Sequence, residues 1–184
     1  MNLAFDEAKA TQTAAAFLRL AGGQLQHLAL IKLLYKADRE ALRQLGSPIT
    51  TDRYVSLKFG PVTSRIYDLI KASASPAAHP TFWSTHVSKS GPYHVALSSD
   101  PGDSELSRAE NRIIAEIFAS DGGKDGFTLA DETHRDFPEW RDPGESSTPI
   151  EISDIMAALG LTEDEIDHIE SSISAQHASQ QLAI

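Results

Sequence analysis

KLLYKADREALRQLGSPITTDRYVSLKFGPVTSRIYDLI, residues 32–70, is the stretch whose reading sets the fold class. Together with His27–Ile31 upstream, its first half places Leu30, Ile31, Leu34, Ala37, Ala41, Leu42 and Leu45 at the three-and-four spacing of one helical face, which predicts a buried helix from His27 to about Leu45. Gly46 can adopt the left-handed conformation after the last turn, and Pro48 has no amide hydrogen with which to continue a helix. Lys32, Lys36, Arg39 and Arg43 recur at the same period on another side. The expected helix is apolar on one face and basic along a second.

The second half changes period. From Tyr54 to Phe59, Val55, Leu57 and Phe59 alternate with Tyr54, Ser56 and Lys58, the pattern of a strand. Gly60-Pro61 interrupts it. Pro61 is read as the first residue of a new helix, where a missing donor costs nothing, with Val62, Ile66, Leu69 and Ile70 as its buried stripe.

Outward from this centre, Phe5 to about Ala21 reads as a helix that Gly22-Gly23 ends, packed on the central one because the connection is short. Residues 72–80 read as a loop. Phe82–Val87 and Tyr93–Leu97 are the best hairpin candidate, with Ser90-Gly91 at the turn and Pro92 putting the second strand at an edge or at its own start. With the 55–59 segment they would form one small antiparallel sheet. Ser107 and Glu110 form a capping box for a helix through about Ser120. Thr128 is expected to cap a short helix to about His134. Residues 141–149 are the expected disordered loop, followed by a short helix over Ile152–Leu159. Thr162 with Glu165 starts a last helix over about 162–178, with Ile166, Ile169 and Ile173 inside. The expected fold is mainly α with a small antiparallel sheet or hairpin (α+β), in one domain over 1–184.

KLLYKADREAL followed by GSPITTDRYVSLKFGPVTSRIYDLI resembles the signature of the Panacea domain, the SocA-like antitoxin family of bacterial and phage toxin–antitoxin pairs. The likeness rests on linked motifs: Lys-Leu-Leu-Tyr with Ala-Asp-Arg, Pro-Ile with Asp-Arg-Tyr, Lys-Phe-Gly-Pro-Val, and Ile-Tyr-Asp, a motif core over about 27–71. Glu132-Thr133-His134 followed by Phe137-Pro138-Glu139-Trp140 is similar to the family's second landmark, over about 127–140. The resemblance implies an antitoxin that neutralises a cognate protein toxin by direct binding, with proteolytic delivery of the toxin to a Clp-type protease as an associated option. It implies no cofactor. The alternatives are a DNA-binding transcriptional regulator using the basic row, or a phage-associated interaction protein.

On the residues alone, Asp38, Arg39, Arg53, Tyr54, Lys58 and Tyr67 form either a binding surface or an internal network joining helix, strand and helix, the network being the favoured reading for Asp38 with Arg53. Tyr35 and Tyr67 read as core residues with satisfied hydroxyls, and Lys36 and Arg43 as cations free for a partner. Gly60 and Pro61 complete the motif set. His134 reads as a capping or core histidine ahead of the Trp140 cluster rather than as a catalytic one. Asp164 with His168 reads as a surface pair, not a metal site. No phosphate-binding, zinc, nucleophile-elbow or calcium-loop pattern is present, so no enzyme is expected.

The chain has no cysteine, which removes disulfides, thiolate metal sites and thiol nucleophiles and fits a cytoplasmic protein. No apolar run approaches the ~20 residues needed to cross a bilayer, and the N-terminus lacks a signal-peptide pattern. Net charge is −10, split unevenly: residues 1–75 hold ten Lys/Arg against six Asp/Glu, and residues 76–184 hold six against twenty. That division suits a basic protein partner, or is a solubility feature. It suits nucleic acid poorly, since affinity there comes largely from phosphate neutralisation. The free chain is therefore expected to give no electrophoretic shift of its own promoter duplex at nanomolar concentration and physiological salt. A shift under those conditions would restore the regulator reading.

Overall fold

The computed structural model describes residues 4–73 and 80–181, and positions 74–79 of the expected 72–80 loop lie outside it. Helix α1, Glu7–Leu20, is started by Asp6, whose carboxylate accepts from Lys9 N at 3.0 Å. It ends before Gly22 and Gly23, both at positive φ. Strand β1, Gln24–Gln26, runs straight into α2, His27–Leu45. Gly46 closes α2 at φ 70°, its amide returning to Leu42 O. Leu45, expected on the buried face, is exposed.

Strands β2, Tyr54–Leu57, and β3, Gly60–Thr63, form a hairpin in which Ser56 faces Pro61. Pro61 is thus a strand residue, and α3 runs Ser64–Ala72 instead of beginning at Pro61. Two physical facts account for the difference. First, β3 is the edge of its sheet, where a residue without an amide hydrogen removes no ladder bond. Second, the Asp52 carboxylate takes the amides of Arg65 at 2.9 Å and Ile66 at 3.0 Å, fixing the helix start three residues later than the proline.

Residues 82–86, expected as a strand, form helix α4, Phe82–His86, closed by a reciprocal Thr81–Ser84 capping box. The hairpin that follows consists of β4, Val87–Ser90, and β5, His94–Leu97. Pro92 lies in its turn. β5 is central in the order β1-β5-β4 because β1 adds along its outer side, so the strand after Pro92 is not an edge. The single expected sheet is in fact two, the second having the order β3-β2-β6.

Helix α5, Arg108–Asp121, begins with the Ser107–Glu110 capping box that its sequence predicts. Helix α6, Gly126–Asp136, begins two residues before Thr128: Asp125 is the cap, accepting from Phe127 N and Thr128 N, and Thr128 Oγ1 donates to it. The segment expected to be disordered contributes β6, Thr148–Ile150, which pairs with β2. Helix α7, Ile152–Ala158, and helix α8, Glu163–Gln181, complete the order, with Thr162 and Glu165 exchanging hydrogen bonds at the start of α8. The fold is mainly α with two small antiparallel sheets.

Helix α2 touches two apolar cores. Leu30, Ile31, Leu33, Leu34, Ala37 and Ala41 belong to the larger, with Ala14, Phe17 and Leu18 of α1, Ile66 of α3, Trp83 of α4 and Ile113 and Ile114 of α5. Tyr35 and Leu42 belong to the smaller, with Tyr54, Ile150, Ile155, Met156, Ile166 and Ile173. Leu34 is fully buried. Leu34→Ala is expected to lower unfolding free energy by roughly 2–5 kcal/mol, as truncations in close-packed cores do. A denaturant melt checks it, and a loss under about 0.5 kcal/mol would mean that this face is not core.

Candidate partner-binding site

A helix enclosed on two sides has few places for charge, and each polar group of the motif must find a partner inside the fold. Asp38 is fully buried. Its Oδ1 accepts the amides of Ile49 and Thr50, both at 2.9 Å, and its Oδ2 accepts the hydroxyls of Thr50 and of Tyr54, the latter at 2.9 Å. Burial outweighs these donors and lifts its pKa to about 6. The favoured Asp38–Arg53 network is not formed: Arg53 is exposed, and the neighbours that answer the carboxylate are hydroxyls and amides.

Glu139 is a second anchor. Its Oε1 accepts from Tyr35 Oη at 3.0 Å and from Arg39 Nε at 2.8 Å, and the Arg39 guanidinium lies 4.4 Å from the Phe137 ring centre. Beside it Trp140 donates through Nε1 to Leu57 O at 3.0 Å and stacks on His134, ring centres 3.9 Å apart. His134 Nε2 is buried with no hydrogen-bond partner among the described residues. Its pKa is lowered, first by burial and then by the nearby Lys32. The second landmark thus docks on α2 and β2.

Lys32, counted from sequence in a basic row, is fully buried. It donates to Pro61 O at 2.8 Å, and burial depresses its pKa to about 7. Gly60, at φ 94°, passes so close that a Cβ there would stand 2.8 Å from Lys32 Nζ and 2.6 Å from Thr133 Oγ1. Only glycine fits both the backbone and the space. Lys36, expected to be free, bonds Asp121 at 2.7 Å and Glu132 at 3.3 Å, and Lys124 joins the same two carboxylates, tying α2 to α5 and α6. The basic row is therefore no continuous surface. Arg43 is exposed and pairs with Glu40, and Lys58 is exposed and pairs with Glu145.

Beside this network lies an open groove of about 520 Å³. Ile31 of α2 and Val62 of β3 are its buried lining, and Leu28, Leu57 and Tyr67 are half-buried in it. Gln26, His27 and His94 flank it, and Phe59, Tyr93 and Phe127 stand around it with exposures of 50%, 67% and 63%. Phe59 and Phe127 meet edge to face, ring centres 5.9 Å apart. These three make up half of the six large apolar side chains exposed among the described residues. Of the expected site residues only Tyr67 reaches the groove. Trp83 is buried in the larger core, while its neighbour Phe82 is exposed away from the groove. Nothing in the sequence marks Tyr93 or Phe127, because their meeting depends on the turn of one sheet and the start of a distant helix.

Two substitutions test the network. Asp38→Ala strands four donors and is expected to cost roughly 3–5 kcal/mol in a denaturant melt. Lys32 has a folded pKa below its ordinary 10.5, so between about 7 and 10.5 the unfolded chain holds the extra proton. The contribution of this group to stability should rise with pH across that window, by at most about 1.4 kcal/mol per pH unit, and be constant below about 7. Lys32→Met should flatten the rise between pH 7 and about pH 9. An unchanged slope would place the titrating group elsewhere.

Among the described residues no group of three or more His, Cys, Asp or Glu could hold a metal, and no helix is long and apolar enough to cross a membrane. No curated protein and no solved structure matches the chain. The sequence profile of the family described as "Antitoxin SocA-like, Panacea domain" matches residues 30–141, which contain the Asp38 hub, the Glu139 anchor, the Lys32 contact and most of the groove. The chain belongs to the SocA-like Panacea antitoxin family.

Proposed function

We propose that the chain neutralises a cognate protein toxin by direct contact, acting stoichiometrically and without a chemical step. The observation that carries this reading is the match of residues 30–141 to an antitoxin family. The charge distribution supports it. Residues 142–184 contain nine Asp/Glu and no Lys or Arg, and Glu163, Asp164, Glu165 and Asp167 are exposed on α8. Such a surface speeds encounter with a basic protein and repels nucleic acid. The regulator reading loses its main support, since Lys32 is buried and Lys36 is held by two carboxylates. Of the site residues expected from sequence, Arg43, Arg53 and Lys58 are exposed and Tyr67 borders the groove, which leaves them accessible to a partner.

Co-expression tests the reading. The product of the adjoining reading frame should be lethal alone and harmless with this chain, and the two should co-elute. Continued lethality would sink the proposal. Toxin levels measured with and without a Clp-type protease separate plain sequestration from delivery. If steering contributes, association should slow as ionic strength rises past about 0.15 M, where the screening length is about 8 Å. Changing Glu163, Asp164 and Glu165 together to Lys should slow it at low salt, in a variant shown to be folded, and an unchanged rate would remove α8 from the steering surface.

A further inference from the structure

We infer that a cleft between the 138–141 segment, strand β6 and helix α7 takes the guanidinium of a toxin arginine. This deepens the antitoxin reading and rests on it. The cleft measures about 470 Å³ and shares no lining residue with the aromatic-rimmed groove. It brings Ser56 of β2 and Glu139 together with Thr148 and Pro149 of β6 and Asp154 and Ala157 of α7.

The first argument is an orphaned acceptor. Thr63 Oγ1, His134 Nε2 and Glu139 Oε2 are buried with no hydrogen-bond partner among the described residues. Thr63 and His134 line neither the cleft nor the groove, whereas Glu139 is a wall of the cleft. Its side chain is wholly buried, and Tyr35 and Arg39 both donate to Oε1, which leaves Oε2 without a donor. A carboxylate oxygen withdrawn from water in this way is costly, and a donor arriving through the cleft removes that cost.

The second argument is charge. Arg39 answers Glu139 from the α2 side, so Asp154 is the unmatched carboxylate of the lining. It is exposed in the first turn of α7, its Oδ2 accepts from Glu151 N at 2.9 Å, and it makes no ion pair among the described residues. The β6–α7 wall belongs to residues 142–184, which hold nine Asp/Glu and no Lys or Arg. Arg141 is the only cation of the lining, and it too is exposed and in no ion pair among the described residues. The local field therefore favours a cationic occupant.

The third argument separates a side chain from an added strand. β6 is the outer strand of its sheet, but its middle residue is Pro149, which brings no amide hydrogen to a further neighbour. Pro138, Pro149, Ala157 and Ala158 instead make short, uncharged walls that suit the alkyl stem of a long cationic side chain. Between the two such side chains, the guanidinium is the more weakly hydrated and presents a planar fork of donors, so arginine suits a half-enclosed carboxylate better than lysine does.

Asp154→Asn removes the charge and keeps an oxygen for Glu151 N. Glu139→Gln keeps an oxygen for Tyr35 and Arg39 and puts a donor in place of Oε2. With the product of the adjoining reading frame as probe, the first should weaken binding roughly fivefold or more and the second roughly tenfold or more. The loss should appear mainly as faster dissociation, because the contact belongs to the complex and not to the approach. Arg141→Ala should tighten binding about twofold, since a like charge leaves the lining. Glu116→Gln, an exposed carboxylate of α5 outside the cleft, is the control and should stay within about twofold. Changing one toxin arginine to Ala should be non-additive with Asp154→Asn in a double-mutant cycle. If Glu139→Gln lowers the melting temperature, Asp154→Asn and the cycle carry the test.

Cleft variants that bind as tightly as the parent would overturn the inference and leave the antitoxin reading intact. Weaker binding by Arg141→Ala would mark an anionic occupant and sink it equally. So would a cycle in which Asp154 couples to a toxin lysine or to no toxin residue. If Asp154→Asn changes only the association rate, the carboxylate belongs to the steering surface and the cleft is not the site. If the parent itself fails to neutralise, the antitoxin reading falls and this inference with it.

Discussion

The carboxylate of Asp38, buried on α2 and answered by two amides and two hydroxyls from residues 49–54, is the interaction on which the motif region depends. It holds the chain after Pro48 against the helix it has just left. Tyr54 is thereby fixed at the head of β2, the strand that carries both β3 and β6. The arrangement also places Asp52 under the first amides of α3. An uncompensated charge at this depth would be too costly to keep, so turn, strand and helix start are specified together by one group's need for donors.

The same constraint explains the rest of the motif's polarity. Helix α2 has an apolar core on either side, so the long side chains between them cannot remain a solvated row. Each reaches a partner distant in sequence: Tyr35 and Arg39 reach Glu139, and Lys36 reaches Asp121 and Glu132. Lys32 finds only a carbonyl, and burial lowers its pKa accordingly. Motif residues that read as a recognition face are largely the internal fastening of the fold. The groove borrows its shape from that fastening, since Lys32 and Gly60 hold the β2–β3 hairpin that carries Phe59.

Periodicity made α1, α2, α5 and α8 legible, and local capping pairs marked where the last two begin. These signals are written within three or four residues, so they survive without knowledge of the fold. What could not be read depended on distance. The cap of α3 comes from Asp52 and not from an adjacent residue. Pro61 satisfies a helix start and an edge strand equally, and only the order β3-β2-β6 decides between them. The Thr148–Ile150 stretch looks like loop by composition and becomes a strand because β2 has an unpaired side. Charge on α2 was visible, but its burial was not: one amphipathic stripe in sequence does not reveal that a second core lies behind the helix.

That second core gives the family boundary a physical meaning. The shared segment ends at residue 141, yet Leu42, Tyr35 and Tyr54 inside it are covered by Ile150, Ile155, Met156, Ile166 and Ile173 beyond it. β2, too, has its outer neighbour in β6, past the same boundary. A chain cut at the limit of resemblance would expose three large side chains and an open strand edge, the surfaces that drive misassociation. The segment that matches the family profile is thus shorter than the unit that folds. Residues past 141 therefore act as a roof over α2.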